Sequence, residues 1–249
     1  FRRHAATRNR DGWGLAFYPD TSAALFKEPV SGATSKLAEF LTTYPPLNVR
    51  LLVAHIRGAS VGAPQLQNTH PFLRELGAKE YVLAHNGTIR GYEGQLKPFR
   101  IRPLGINDSE FLLCYLLGRI EQKRVQQWNA QSFQWLQDEL RVVNEFGSVN
   151  CLLSDGTHLF AYRDKNGRSS LNYVVHRGPF GPVHFPDLSK TVDLGNLYPE
   201  SAVGVLIATK PVTDEKWTSF LPGQLSVFKD GTCAFSGSAG TVPSETRPR

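Results

Sequence analysis

The chain has 249 residues, of which 41% are hydrophobic and 20% charged, with a formal net charge of +6. That composition excludes a largely disordered chain, and the lack of any apolar run near 20 residues excludes a bilayer-spanning helix. Three cysteines at wide spacing, Cys114, Cys151 and Cys233, form neither a disulfide framework nor a zinc pattern, so a reducing, cytoplasmic setting is expected.

The basic residues are scattered apart from the two chain ends, and no recognition motif accompanies them. Nucleic acid is therefore not expected as a partner, and neither is a membrane. The chain starts with Phe1 and contains no Met, so its natural beginning is expected to lie upstream. The first ten residues, FRRHAATRNR, are basic and polar rather than a secretory leader.

Taken in order, Trp13–Tyr18 and Ala23–Lys27 read as strands around the turn cluster Pro19–Ser22. Thr34–Thr43 has helical spacing, and Tyr44-Pro-Pro46 stops it. Val49–Ile56, VRLLVAHI, is a continuous apolar run and reads as a buried strand. A Gly/Ser/Pro/Gln-rich loop covers Gly58–Asn68. Tyr81–His85 is the next strand, and Asn86-Gly87 after it carries the strongest short hairpin signal. Asn107, with Glu110 three residues on, is close to a capping box and opens a helix that is apolar nearly all round. Phe133–Phe146 is a second, amphipathic helix. Ser148–Leu153, Leu159–Arg163, Leu171–His176, Val203–Thr209 and Gln224–Phe228 read as strands, with tight turns at Asp155-Gly156 and Asp230-Gly231. Ser236–Arg249 reads as a disordered tail after one domain spanning residues 1–235. Strands in hairpins with a few segregated helices make an α+β fold.

Polar clusters punctuate the apolar strands. They are Asn9–Gly14 (NRDGWG), His55–Ser60 (HIRGAS), Asn68–Phe72 (NTHPF), His85–Thr88 (HNGT) and Asn107–Glu110 (NDSE). Each has an ordinary reading beside a functional one. Arg57, ending a buried strand, is either a solvated arginine or a bidentate clamp for a carboxylate. Asp108 either complements a helix dipole or holds an ammonium group. Asn86-Gly87 is either a hairpin turn or a side-chain amide and backbone N–H that together hold a developing oxyanion. His55, His70 and His85 are spaced fifteen apart, which matches no metal-ligand pattern. No cysteine occupies an activated position.

In this order the clusters DGWG, AHIRGAS, NTHPF, AHNG and NDSE resemble the class II glutamine amidotransferases. More narrowly, they are similar to the stand-alone amidotransferase-like and γ-glutamyl hydrolase branch. The likeness runs from Asn9 to the Lys210–Trp217 region, and Asn150–Gly156 and Arg177–Gly181 also fit. The resemblance implies an N-terminal-nucleophile hydrolase fold: a four-layer αββα sandwich of two antiparallel sheets with helices on both outer faces. It implies a terminal Cys nucleophile whose α-amine serves as base. No cofactor is expected, and on ligand spacing no metal. It implies an oxyanion hole at Asn86 and Gly87, an α-carboxylate grip at Arg57 and an α-ammonium partner at Asp108. Ser60 and His70 lie in matching loops. The partner is then a small molecule, glutamine or a γ-glutamyl compound. No second domain that would receive ammonia is evident, so an acceptor, if one is used, is a separate subunit.

None of the three cysteines has a terminal amine, so the nucleophile is not in this stretch. Three readings stay open. The sequence is a fragment of such a hydrolase, or a catalytically dead binding module or complex subunit that keeps the pocket, or a protein with the fold alone.

Overall fold

A computed structural model describes residues 9–43, 49–58, 63–92, 94–96 and 100–239. In chain order the strands and helices are β1 (Trp13–Phe17), β2 (Ala24–Glu28), α1 (Lys36–Thr43), β3 (Leu52–Ile56), β4 (Phe72–Leu76), β5 (Lys79–Ile89), α2 (Asp108–Lys123), α3 (Ala130–Val143), β6 (Gly147–Ser154), β7 (Leu159–Tyr162), β8 (Asn172–Arg177), β9 (Pro182–Phe185), β10 (Lys190–Asp193), β11 (Val203–Ala208), β12 (Thr218–Ser219), β13 (Leu225–Lys229) and β14 (Thr232–Ser236).

Six strands form one antiparallel sheet in the order β14-β13-β7-β6-β5-β4. Alternation along its strands decides what each face meets. Tyr81 and Leu83 of β5, Cys151 and Leu153 of β6, Phe160 and Tyr162 of β7, and Leu225 and Val227 of β13 share one core with α2 and α3. The intervening residues point the other way. Val82 and Ala84 pack with Ala16, Tyr18 and Val53 of the β1–β3 region. Ala161 and Phe228 pack with Leu171, Phe220 and the flank of β8 and β11. The second layer therefore faces the first across two smaller cores, and it is itself split into two antiparallel sheets, β2-β1-β3 and β11-β8-β12. A further pair, β9 and β10, stands apart as its own two-stranded sheet.

On the outer side of β1, Trp13 lies opposite Glu28 of β2. Glu28 accepts hydrogen bonds from Trp13 Nε1 and from the hydroxyl of Ser35, the residue before α1. This places α1 on the outer side of that sheet, while α2 and α3 cover the outer side of the other. Two antiparallel layers with helices outside both make the α+β sandwich expected from the sequence. No described helix is long and apolar enough to cross a membrane.

The main correction concerns Asn86-Gly87, which makes no turn. Strand β5 runs straight through it to Ile89, and Val82 through Ile89 pair with Ser154 through Gly147 of β6. Glycine is required there by close approach, since a Cβ on Gly87 would sit 2.0 Å from the Ser148 carbonyl oxygen. The turn lies earlier, at Gly77-Ala78, where φ values of 60° and 61° fold β4 back onto β5. The expected turns at Asp155-Gly156 and Asp230-Gly231 join β6 to β7 and β13 to β14.

Other departures are local. Asn107 caps α2 by accepting from the Ser109 N–H at 2.9 Å. Glu110 does not close a box. It accepts from the Leu104 and Gly105 N–H groups and pairs with Arg74. A true capping box forms at α3 between Asn129 and Ser132. That helix runs Ala130–Val143, and a single 3-10 turn continues it to Phe146. The ordered chain also reaches past Ser236: Gly237 N–H bonds the Leu225 carbonyl, and the Ser238 carbonyl accepts from Gln137 and Arg141. Residues 240–249 lie outside the described set.

Candidate active site

The split in the second layer leaves β3 and β11 as edge strands, each paired on one side only among the described residues. Arg50, Leu51 and Leu52 share a cavity of about 120 Å³ with Val203, Gly204 and Val205. Further along, Ala54 to Gly58 share one of about 610 Å³ with Leu206 to Lys210 and Val212. Start faces start and end faces end, so β3 and β11 run in the same direction along the two banks of one cleft. Its floor is the inner face of β5 and β6 (Ala84, Asn86, Asn150, Leu152), and the first residues of α2 close one side.

The larger cavity gathers Arg57, His70, Asn86, Gly87 and Asp108 from four separate stretches of chain. Ser60 lies outside the described residues. Arg57 follows β3 and is almost fully buried, at 2% exposure. Its main chain is fixed by hydrogen bonds with Asp11 and Gly12. Its Nη1 reaches the Asp11 carbonyl at 3.4 Å. Burial pulls the guanidinium below its usual range, and the negative charges of Asp11 and Asp108 oppose that pull. An arginine is tolerated in this position because it stays ionised through such a shift.

Asp108 is the first residue of α2, where the helix dipole favours a carboxylate. One oxygen, Oδ2, accepts from the Ile89 N–H at 2.8 Å. That bond ties the start of α2 to the end of β5, two residues past Gly87. Asn86 follows the alternation of β5 and projects from the inner face into the cavity, directly across from Asn150 of β6. Asn150 is itself held, donating to the Ser170 carbonyl and accepting from the Asp164 N–H.

His85 lies on the opposite face of β5 from Asn86 and is buried. Nε2 is 3.1 Å from the Ser148 carbonyl, so it carries the proton, and Nδ1 then accepts from the Ser109 hydroxyl at 2.7 Å. Burial lowers its pKa, with Asp108 acting in the other direction. The His55 and His70 rings lie 4.2 Å apart, and His70 meets Phe72 edge-on. Burial pushes His55 down to about 4 and His70 well below the usual histidine range, so both are neutral near pH 7. His55 Nδ1 and both ring nitrogens of His70 are buried without a hydrogen-bond partner among the described residues. The three histidines thus converge, yet no group of metal-ligating side chains suited to an ion is found among the described residues. Burial raises the thiols of Cys114 and Cys151 to about 11 and about 12, which makes them poor nucleophiles.

Three residues that line the cavity have no site role in the sequence reading: Asn107, read there as a helix cap, and Asn150 and Lys210, which fall only within stretches of family likeness. Asn150 carried a usable signal, since it is a lone amide in the otherwise apolar run VNCLL. Lys210 carried none beyond its place after a strand, at the start of the matching Lys210–Trp217 stretch.

A sandwich of antiparallel sheets thus brings Arg57, Asp108, Asn86 and Gly87 to the wall of one cavity. The description "Glutamine amidotransferases class-II" matches residues 1–248. The chain belongs to that family. An uncharacterized protein of Methanocaldococcus jannaschii is 40% identical over 234 residues, covering 94% of this chain but 65% of that protein. YafJ of Escherichia coli K12, provisionally named a glutamine amidotransferase, is 36% identical over 88% of this chain and 85% of its own. The 2.0 Å crystal structure of a predicted glutamine amidotransferase from Pseudomonas aeruginosa superposes with a TM-score of 0.69 at 33% identity, covering 90% of this chain and 87% of that one. The glutamine phosphoribosylpyrophosphate amidotransferase of B. subtilis shares the fold, with a TM-score of 0.64 at 16% identity over 97% of this chain and 46% of that one.

Proposed function

We propose that this domain hydrolyses a γ-glutamyl amide, either glutamine or a small γ-glutamyl compound, with a cysteine nucleophile that is none of Cys114, Cys151 and Cys233. The observation that carries the reading is the meeting of Arg57, Asp108, Asn86 and Gly87 in one cavity of about 610 Å³. Arg57 grips the α-carboxylate and Asp108 the α-ammonium, so the two buried charges read a zwitterion. The γ-carbonyl then lies over β5, where the Asn86 side-chain amide and the Gly87 N–H stabilise the oxyanion.

The cleft between β3 and β11 supports the placing of the nucleophile. A strand laid antiparallel to both banks would satisfy both open edges. Its first residue would emerge at the Arg57 end, beside Asn86. A cysteine there attacks through its thiolate, with its own α-amine taking the thiol proton. A carbon–sulfur bond forms, the carbon–nitrogen bond breaks, and the amine leaves with a proton. Water then releases glutamate from the thioester. A separate subunit that accepts ammonia is compatible with this reading.

The test is glutamate and ammonia release from glutamine and from γ-glutamyl dipeptides, using the protein extended upstream to its terminal cysteine. Release that disappears on replacing that cysteine by alanine is the expected result. Ligand binding without release from any donor would sink the hydrolase and leave the second reading, a binding module that keeps the pocket.

A further inference from the structure

We infer that the β11 end of the cavity is a leaving-group subsite, and that Lys210 selects γ-glutamyl compounds whose amine portion carries a carboxylate. The inference rests on the placing of the glutamyl head at Arg57 and Asp108.

Geometry sets the direction. Arg57 ends the β3 bank of the cleft and Lys210 follows the β11 bank. With the α-carbon end of the substrate on the β3 side, the γ-nitrogen and everything attached to it points toward β11. Charge then sets the chemistry. A glutamyl zwitterion matches the cation of Arg57 with its carboxylate and the anion of Asp108 with its ammonium. Lys210 remains, an exposed cation lining the cavity with no ion pair among the described residues. Glutamine, whose leaving group is ammonia, offers it nothing. A peptide or amino acid joined through its nitrogen offers a carboxylate.

The backbone that carries Lys210 is fixed on both sides. Before it, the Thr209 carbonyl accepts from the Ser170 hydroxyl at 2.6 Å and from Asn172 Nδ2 at 3.0 Å. After it, buried Thr213 donates to Glu215 at 2.9 Å and accepts from Trp217 Nε1 at 2.9 Å, while Glu215 also meets His176 at 3.0 Å. A long flexible side chain on a pinned backbone reaches a defined zone at the cavity mouth. Val212, which also lines the cavity, gives that zone one apolar wall. The subsite therefore fits a small amino acid with a free carboxylate better than a bulky or cationic amine.

The deciding measurement compares γ-glutamylglycine with γ-glutamylglycinamide, which differ by one negative charge and little in shape. Binding is measured by calorimetry on the full-length protein, together with hydrolysis. The free carboxylate is expected to bind roughly tenfold tighter, as one charge-assisted contact in a partly solvated place allows. Lys210→Ala should bring the ratio close to one and Lys210→Glu should invert it. Lys190→Ala, an exposed lysine on β10, controls for net charge and should keep the ratio. Equal binding of the two ligands by the native protein, or a ratio that survives Lys210→Ala, would overturn the inference. A charge-dependent binding ratio without hydrolysis would support the subsite while refuting the hydrolase. No binding of either ligand would refute both.

Discussion

The two layers of the sandwich are built from similar strands but finished differently. The six-stranded sheet is continuous, and its strands alternate cleanly between a helix-covered face and an inner face. The facing layer is two three-stranded pieces with a cleft between them. The continuous sheet supplies rigid positions such as Asn86 and Gly87. The divided layer supplies the open banks on which Arg57 and Lys210 stand. A site that needs both fixed donors and room for a ligand is served by placing one on each layer.

The sharpest way to break this contrast uses matched glycines. Gly87→Ala on the continuous sheet drives a methyl to within 2.0 Å of the Ser148 carbonyl and against the His85 ring. A loss above about 4 kcal/mol, or failure to fold, is expected in chemical denaturation. Gly204→Ala on β11 meets nothing within 4 Å and should change stability by no more than about 0.5 kcal/mol.

Asn86→Ala should leave stability nearly untouched, because the side chain projects into the cavity. On the extended, cysteine-bearing protein it should lower the rate by about 3 kcal/mol, or a hundredfold or more, the usual cost of an oxyanion donor. A loss of stability without a loss of rate would move Asn86 from chemistry to packing.

Acid should attack the wall between the layers. His55 titrates near pH 4 when folded and its ordinary value is 6.5. The unfolded chain therefore binds the extra proton between those values. The stability held above pH 6.5 is lost as pH falls through 4, by about 3 kcal/mol for a shift of this size. His70 is displaced in the same direction. Denaturant midpoints from pH 7 to pH 4 should fall, and His55→Gln should flatten the slope.

Smaller effects complete the series. Arg57→Lys keeps the charge but loses the fork, and should weaken binding of a γ-glutamyl ligand by about 2 kcal/mol in calorimetry. Cys114→Ala removes a buried sulfur from α2 and should cost about 1 kcal/mol in thermal stability.

The sequence disclosed most where period and chemistry agreed. The near-uniform apolar helix after Asp108 and the Asp-Gly turns appear close to their expected places, whereas the apolar run before Arg57 forms a strand that is not buried: β3 is an edge strand, Leu52 is 43% exposed, and Val53 alone of its residues is buried. It misled where one local signal had two physical causes. Asn86-Gly87 looks like a turn because glycine serves tight turns, but here glycine serves the packing of two strands. The β4 strand was hidden because Arg74 and Glu75 interrupt its apolar pattern, and the real turn used Gly77-Ala78, a weaker signal. The convergence of His55 with His70 could not be read from spacing, since it depends on how β3 sits over the start of β4. Lys210 stood in the matching Lys210–Trp217 stretch, but its place in the cleft could not be read for the same reason: it is set by the opposite bank.

The hydrogen bond from the Ile89 N–H to Asp108 Oδ2 makes one backbone amide a reporter of the site. In the proposed binding mode an arriving ammonium draws on the same carboxylate, so the electron density offered to that amide would change as the pocket fills. The Ile89 amide resonance and its exchange with solvent should therefore register occupancy directly, without a label, a coupled assay or turnover. A screen for ligands could watch that single nucleus, two residues beyond Gly87.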